Sequence, residues 1–297
     1  MQNYQNHPLA GARDLDSAMA LLWDFYKKYF VGLYVISIIS ALISNLISST
    51  IDTTALMQAS TDPELAFAAL KNMALPYAGL LLFSLVFTIF LHAWVLGKPV
   101  IEGYGIAEAL KDSAVVLFPY ILTIIILGFG GIILISIGML MLVLPGIFAM
   151  FYFITVIIFA LPIALAESRS IATIIGKSFR YAHRNFWPNM AWVIVVALIM
   201  VIVSLVISGI VMLPFTGTFI KTLANPEAAP ALLEMVKNPI YIILSSLTSA
   251  LVLPVFPILA FILYFRNRED ATQIITRPED EDRVTVDDLY PRMPEKD

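Results

Sequence analysis

The amino-acid sequence predicts an all-α polytopic membrane protein: six transmembrane helices with cytoplasmic amphipathic interfacial helices, built from repeated hairpin units. Three observations predict it. Of 297 residues, 60% are hydrophobic and 13% charged, about half the ~25% charge content of a soluble domain. The charged residues are bunched, and the gaps between them are long enough to cross a bilayer. The basic residues fall almost entirely on one side of the resulting chain path. Cysteine is absent, which removes disulfide-stapled secreted modules from consideration.

Residues 1–28 form a polar, charged N-terminal segment. Within it, Leu15–Phe30 is a modest amphipathic helix that ends in the belt Trp23-Asp24-Phe25-Tyr26-Lys27-Lys28-Tyr29, a composition suited to a membrane interface. The membrane body occupies 29–265. Its uncharged stretches are Tyr29–Ile51, Asn72–Gly97, Ser113–Ala166, Asn185–Ile220 and Asn238–Phe265. About 20 apolar residues at 1.5 Å rise cross the hydrocarbon core, so four stretches hold one span each. The third, 54 residues long, holds two, with a break expected at Leu144-Pro145-Gly146. The expected spans are 29–49, 75–97, 114–140, 146–166, 190–212 and 240–265. Pro162, Pro254 and Pro257 are expected to kink the fourth and sixth.

With both termini on one side, that side receives fifteen Lys and Arg residues and the other receives Lys71, Lys221 and Lys237. The positive-inside rule makes the first side cytoplasmic. The first span is then expected to act as an uncleaved signal anchor, because residues 1–28 are polar and charged and do not read as a cleavable leader. The tail 266–297 carries six basic and ten acidic residues, a balance equal to the whole chain's net charge of −4. With Glu279-Asp280-Glu281-Asp282 and few large apolar groups, it reads as a solvated, disordered cytoplasmic end. A membrane or cytosolic protein could dock there.

The chain also resembles itself. Thr61-Asp62-Pro63-Glu64 lies over Ala224-Asn225-Pro226-Glu227, and the same offset of 163 pairs Pro76 with Pro239. Asp112-Ser113-Ala114 echoes Asp16-Ser17-Ala18 more loosely. The unit read from these matches is an amphipathic helix followed by a transmembrane hairpin. Its best-written example is Ser168–Trp187, where Ile171, Ile174, Ile175, Phe179 and Phe186 share an apolar face. Lys177, Arg180 and Arg184 fall opposite, and they are expected to face anionic lipid headgroups.

Catalytic chemistry finds little support. His7, His92 and His183 are the only histidines and none is spaced to share a metal, so no metal site or cofactor is expected. No Asp, Glu, Lys or Arg lies in the span cores, which leaves no signature of ion coupling. Glu167 and Glu102 read as solvated acids at span ends, and His92 as a polar contact between helices. Gly176-Lys177-Ser178 lacks both the first glycine and the preceding strand of a phosphate loop. Nothing suggests nucleic acid binding. The hydroxyl pattern is more informative: Ser40, Ser44 and Ser48 share a face of the first span with Asn45 nearby, as do Ser204 and Ser208 in the fifth and Ser245 and Ser249 in the sixth. Such faces serve close helix packing or line a polar path, with packing the favoured expectation.

Leu144-Pro145-Gly146-Ile147, Leu161-Pro162-Ile163 through Glu167, Ser178-Phe179-Arg180 and Asn185-Phe186-Trp187 together carry a resemblance. They look like bacterial six-span families that include the membrane domain of glycerophosphodiester phosphodiesterases and its uncharacterised stand-alone relatives. The resemblance implies a multi-pass protein of the bacterial inner membrane and transfers no catalytic residue. The functional expectation is a non-catalytic protein with an organising or accessory role, handling lipid or a partner. The alternative is a transporter or permease for a lipid-like or uncharged substrate. A continuous cavity between the first, fifth and sixth spans, open to one side, would favour the alternative, and a sealed bundle would favour the organising role.

Overall fold

A computed structural model describes residues 4, 6–51, 63–224 and 234–268. Every regular element among them is helical. The acidic tail beyond Arg268 and most of the two Asx-Pro-Glu segments lie outside the described residues.

α1 (Leu15–Lys28) starts at Asp14, whose carboxylate accepts from the Ser17 amide at 2.8 Å while the Ser17 hydroxyl accepts from the Asp14 amide. This reciprocal box satisfies two of the helix's orphan donors. The backbone breaks at Tyr29 and resumes as α2 (Phe30–Ser49). α3 (Pro63–Gly97) and α4 (Ile106–Met141) are both longer than the spans the sequence suggests. Lys71 and Asp112 mark the ends of apolar stretches, not the ends of helix, and α3 continues through Pro76. That proline is therefore not equivalent to Pro239, which occupies the first turn of α9 (Pro239–Val252).

The hairpin between α4 and α5 (Val143–Ala166) turns at Leu142, held extended at φ −167° and ψ 155°. The turn comes earlier than expected because Pro145 sits inside the first turn of α5, where its missing N–H has no partner to lose. A Cβ on Gly138 would lie 2.9 Å from the Gly146 Cα, so this glycine pair lets the two backbones touch at the hairpin tip. α6 (Ile171–Arg184) and α7 (Phe186–Met212) are separated only by Asn185, and Pro188 falls harmlessly in the first turn of α7. A 3₁₀ turn (Leu213–Phe215) and α8 (Thr216–Ala224) follow. The sixth span runs from Pro239 to Asn267 and is interrupted where a kink is expected: α9 stops at Val252, Leu253 and Pro254 keep right-handed helical backbone angles, and α10 (Val255–Asn267) follows. The two segments expected to be the outer copies each contain a 14-residue helix, α1 and α6, whereas the expected middle copy has no such separate helix before α4.

The core surrounds α10. Residues from Pro257 to Phe265 are all buried, with α1, α3, α5 and α6 packed around them. A helix apolar all round belongs in such a place. The N-terminal segment enters this core instead of staying in solvent. His7 and Leu9 are buried, and the His7 ring stacks on Phe265 at 4.8 Å. The His7 Nδ1 accepts from the Leu9 amide, so Nε2 carries the proton and donates to the Val95 carbonyl at 3.3 Å. Burial holds this imidazole neutral and lowers its pKa to about 4.

Candidate functional site

Two polar cavities lie among the described residues, at different places in the bundle. The first, of about 600 Å³, lies between α2, α7 and α9, in the first, fifth and sixth spans. Six of the hydroxyl and amide residues singled out in the sequence line it: Asn45, Ser48, Ser204, Ser208, Ser245 and Ser249. Tyr241 and Thr248 join them, and no charged side chain among the described residues does. α9 packs against both α2 and α7, and the cavity occupies the space these two leave. Ser40 and Ser44 share the α2 face but do not reach the cavity; Ser40 is buried and Ser44 half-buried.

Hydrogen bonds tie α1 and α2 to α9. The Asn45 amide donates to Ser246 at 2.9 Å and to Ser245 at 3.2 Å. The Tyr34 and Tyr26 hydroxyls donate to the carbonyls of Leu247 and Leu251, at 3.2 and 3.0 Å. The second of these matters most, because Leu251 lies in the last turn of α9, where Pro254 stops the helix and its carbonyl has no helical donor.

The second cavity, about 540 Å³, lies where α3 and α5 end and α4 begins. Tyr4, Tyr104, Asp112, Glu167 and Arg169 line it above apolar Leu96, Val116 and Leu165. The Tyr104 hydroxyl donates to Asp112 at 2.8 Å. Burial, that hydrogen bond and the charge of Asp112 all push the Tyr104 phenol up from its ordinary value. Gly97 makes room for the ring, since a Cβ there would stand 2.3 Å from it. Glu167 is not the solvated acid the sequence suggested. Its side chain is 16% exposed; it pairs with Lys177 and accepts from the Tyr181 hydroxyl at 2.8 Å. Periodicity could not show this, because the partners lie ten and fourteen residues away on α6.

The basic residues of α6 are placed individually. Successive contacts of α6 run backwards along α5, from Lys177–Glu167 through Tyr181–Phe159 to Tyr152–His183, so α6 folds back antiparallel to α5. Its buried face is Ile174, Ser178, Tyr181 and Ala182, with Ile171, Ile175 and Phe179 only half-buried. Lys177 is held by Glu167. Arg184 donates to the carbonyls of Asn267 and Arg268, at 3.1 and 2.9 Å, capping α10. Arg180 is exposed. Lys177 and Arg184 thus each make contacts within the protein.

A buried amide cluster escaped sequence reasoning altogether. Asn267 donates to Asn189 at 2.9 Å and accepts from Asn185 at 3.0 Å, and Asn189 also donates to the Tyr181 carbonyl at 3.1 Å. It locks the α6–α7 corner onto the end of α10. His92 likewise does not bridge helices: it donates to the Thr88 carbonyl of its own helix at 2.8 Å and packs near Phe261. Among the described residues no cluster of histidine and carboxylate ligands could hold a metal ion.

Six helices are long and apolar enough to cross a membrane, which makes the chain a polytopic, multi-pass membrane protein. No known protein family, curated protein or solved structure matches it.

Proposed function

We propose that this protein is a transporter or permease for a lipid-like or uncharged substrate, with both termini cytoplasmic in a bacterial inner membrane. One observation carries the reading: an uncharged, hydroxyl-lined cavity between the first, fifth and sixth spans. Hydroxyls and an amide can replace the hydration of a neutral polar group without the penalty of a buried charge. An organising role would call for a packed bundle with no such space. In this reading Ser48, Ser204, Ser208, Ser245 and Ser249 serve the cavity, while Ser40 and Ser44 serve packing. The fifteen-to-three distribution of basic residues supports the orientation. Exposed Arg180 supports contact with anionic headgroups, and the two matching 14-residue helices support a duplicated unit. The resemblance to the phosphodiesterase-associated six-span families stays a proposal carried by its motif residues.

The test uses the purified chain in liposomes with a fluorescent glycolipid bearing an uncharged sugar head. Protein-dependent transfer between leaflets is expected. The Ser204→Leu, Ser208→Leu double variant should abolish transfer with little change in the unfolding temperature, because the new side chains fill space that already exists. Absence of transfer for both the glycolipid and an uncharged polyol would overturn the reading. Orientation is tested separately. A cysteine replacing Ser60 should react with an impermeant reagent from outside intact cells, and one replacing Thr285 should not.

A further inference from the structure

We infer that the second cavity binds a phosphoethanolamine-type zwitterion, with its ammonium on Asp112 and its phosphate on Arg169. The inference does not depend on the role of the serine-lined cavity, which is built from other helices. Two of the polar side chains that converge here are already committed. Glu167 is neutralised by Lys177, and Tyr104 donates its hydroxyl hydrogen to Asp112. The charges of Asp112 and Arg169 remain: both residues line the cavity, and neither belongs to an ion pair among the described residues. Both side chains are exposed, and two opposite, unpaired charges lining one space of about 540 Å³ leave a place for a molecule carrying both complementary charges.

The surroundings narrow the ligand further. Tyr104 approaches Asp112 from one side and fixes the carboxylate, leaving its other lone pairs to accept from a primary ammonium. A guanidinium presents a planar fork that matches a phosphate. Leu96, Val116 and Leu165 give the cavity an apolar part of its lining beside these charges, a combination that suits a lipid headgroup with the first carbons of its acyl chains. A quaternary amine offers no N–H to Asp112, and a headgroup without an amine leaves that carboxylate unmatched.

Native mass spectrometry of the delipidated full chain tests this with phosphatidylethanolamine, phosphatidylcholine, phosphatidylglycerol and free phosphoethanolamine as probes. Phosphatidylethanolamine should bind roughly tenfold more tightly than either other lipid, the effect of one charge-assisted hydrogen-bonded contact. Asp112→Asn and Arg169→Gln should each remove that preference. Arg169 is exposed and outside any helix, so its variant should stay folded even if Asp112→Asn disturbs Tyr104. Binding of free phosphoethanolamine at comparable strength would identify a soluble ligand, and binding of the lipid alone would identify a headgroup; both outcomes support the zwitterion site. Equal binding of the three lipids, or an Arg169→Gln variant that keeps the preference, would overturn it.

Discussion

The two halves of the sixth span are both apolar helices of similar length, yet they do opposite things. α10 is packed on every side and organises the core, with Phe261 and Ile262 wholly buried. α9 gives one flank to α2, another to a cavity, and leaves Ile240 and Ile243 exposed. Between them Pro254 ends one helix and starts the next, and the Tyr26 hydroxyl takes up the Leu251 carbonyl in the last turn. The contrast teaches that apolar character places a helix in the membrane but does not say what it touches there. A helix with a serine stripe has one face on which water or ligand is tolerated, and a helix without one has none.

The largest effect should come from α10. Phe261→Ala removes a fully buried ring that meets His92, Phe265 and Tyr264, and a truncation of this kind typically destabilises by about 3–5 kcal/mol. Denaturant unfolding in detergent micelles should show a loss of that size. An equal truncation on α9, Ile243→Ala, should lose far less, because that side chain is 53% exposed. Equal losses would break the contrast between the two halves.

The next effect is pH-dependent and belongs to the core side. His7 titrates near pH 4 in the folded chain, against 6.5 for an unperturbed imidazole. Between those values the unfolded chain binds a proton that the folded chain does not, so stability falls as pH drops from 6.5 towards 4. The full shift corresponds to on the order of 3 kcal/mol. His7→Gln can still accept from Leu9 and donate to Val95, but it does not titrate. Its unfolding free energy should vary much less over roughly pH 4.5–6.5 than that of the parent, and an unchanged slope would assign the titration to another group.

The same contrast explains what the sequence could and could not disclose. The membrane class and six spans were legible because hydropathy and charge spacing are one-dimensional properties. Six of the polar residues around the first cavity were legible as shared helix faces, but Ser40 and Ser44 share the α2 face without reaching it, and Tyr241 and Thr248 line it without having stood out in the sequence. Helix ends were less legible: Lys71 and Asp112 end apolar stretches without ending helices, and Leu142, not Pro145, makes the hairpin turn. Least legible were pairs distant in the chain. Nothing near Glu167 announces Lys177 and Tyr181 as partners, and nothing near His7 announces Phe265. The Asn185, Asn189 and Asn267 cluster was invisible for the same reason, although each asparagine sits at the edge of an apolar run. Asn267→Ala should leave the Asn189 carbonyl oxygen and the Asn185 amide without their buried partner, at about 1–3 kcal/mol. Thermal unfolding of that variant should fall between the Phe261→Ala and cavity-side results.

The smallest expected effect is on the serines of α9, and it sharpens the comparison most. Ser245 lines the cavity and receives the longer of the two Asn45 bonds, at 3.2 Å. Ser246 is buried, receives the shorter at 2.9 Å, and donates back to the Ile242 carbonyl. Interhelical hydrogen bonds of membrane proteins average about 0.6 kcal/mol. Ser245→Ala should stay within that figure, because Ser246 still accepts from Asn45 and the vacated volume adjoins an existing space. Ser246→Ala should exceed it, since the half-buried Asn45 amide is left with only its longer bond and the core side of α9 loses an atom it packs against. A double-mutant cycle with Asn45→Ala measures both couplings in unfolding free energy. If Ser245 coupled to Asn45 more strongly than Ser246 does, the cavity-lining serine would be holding α2 against α9, and the hydroxyl face would be a packing surface after all.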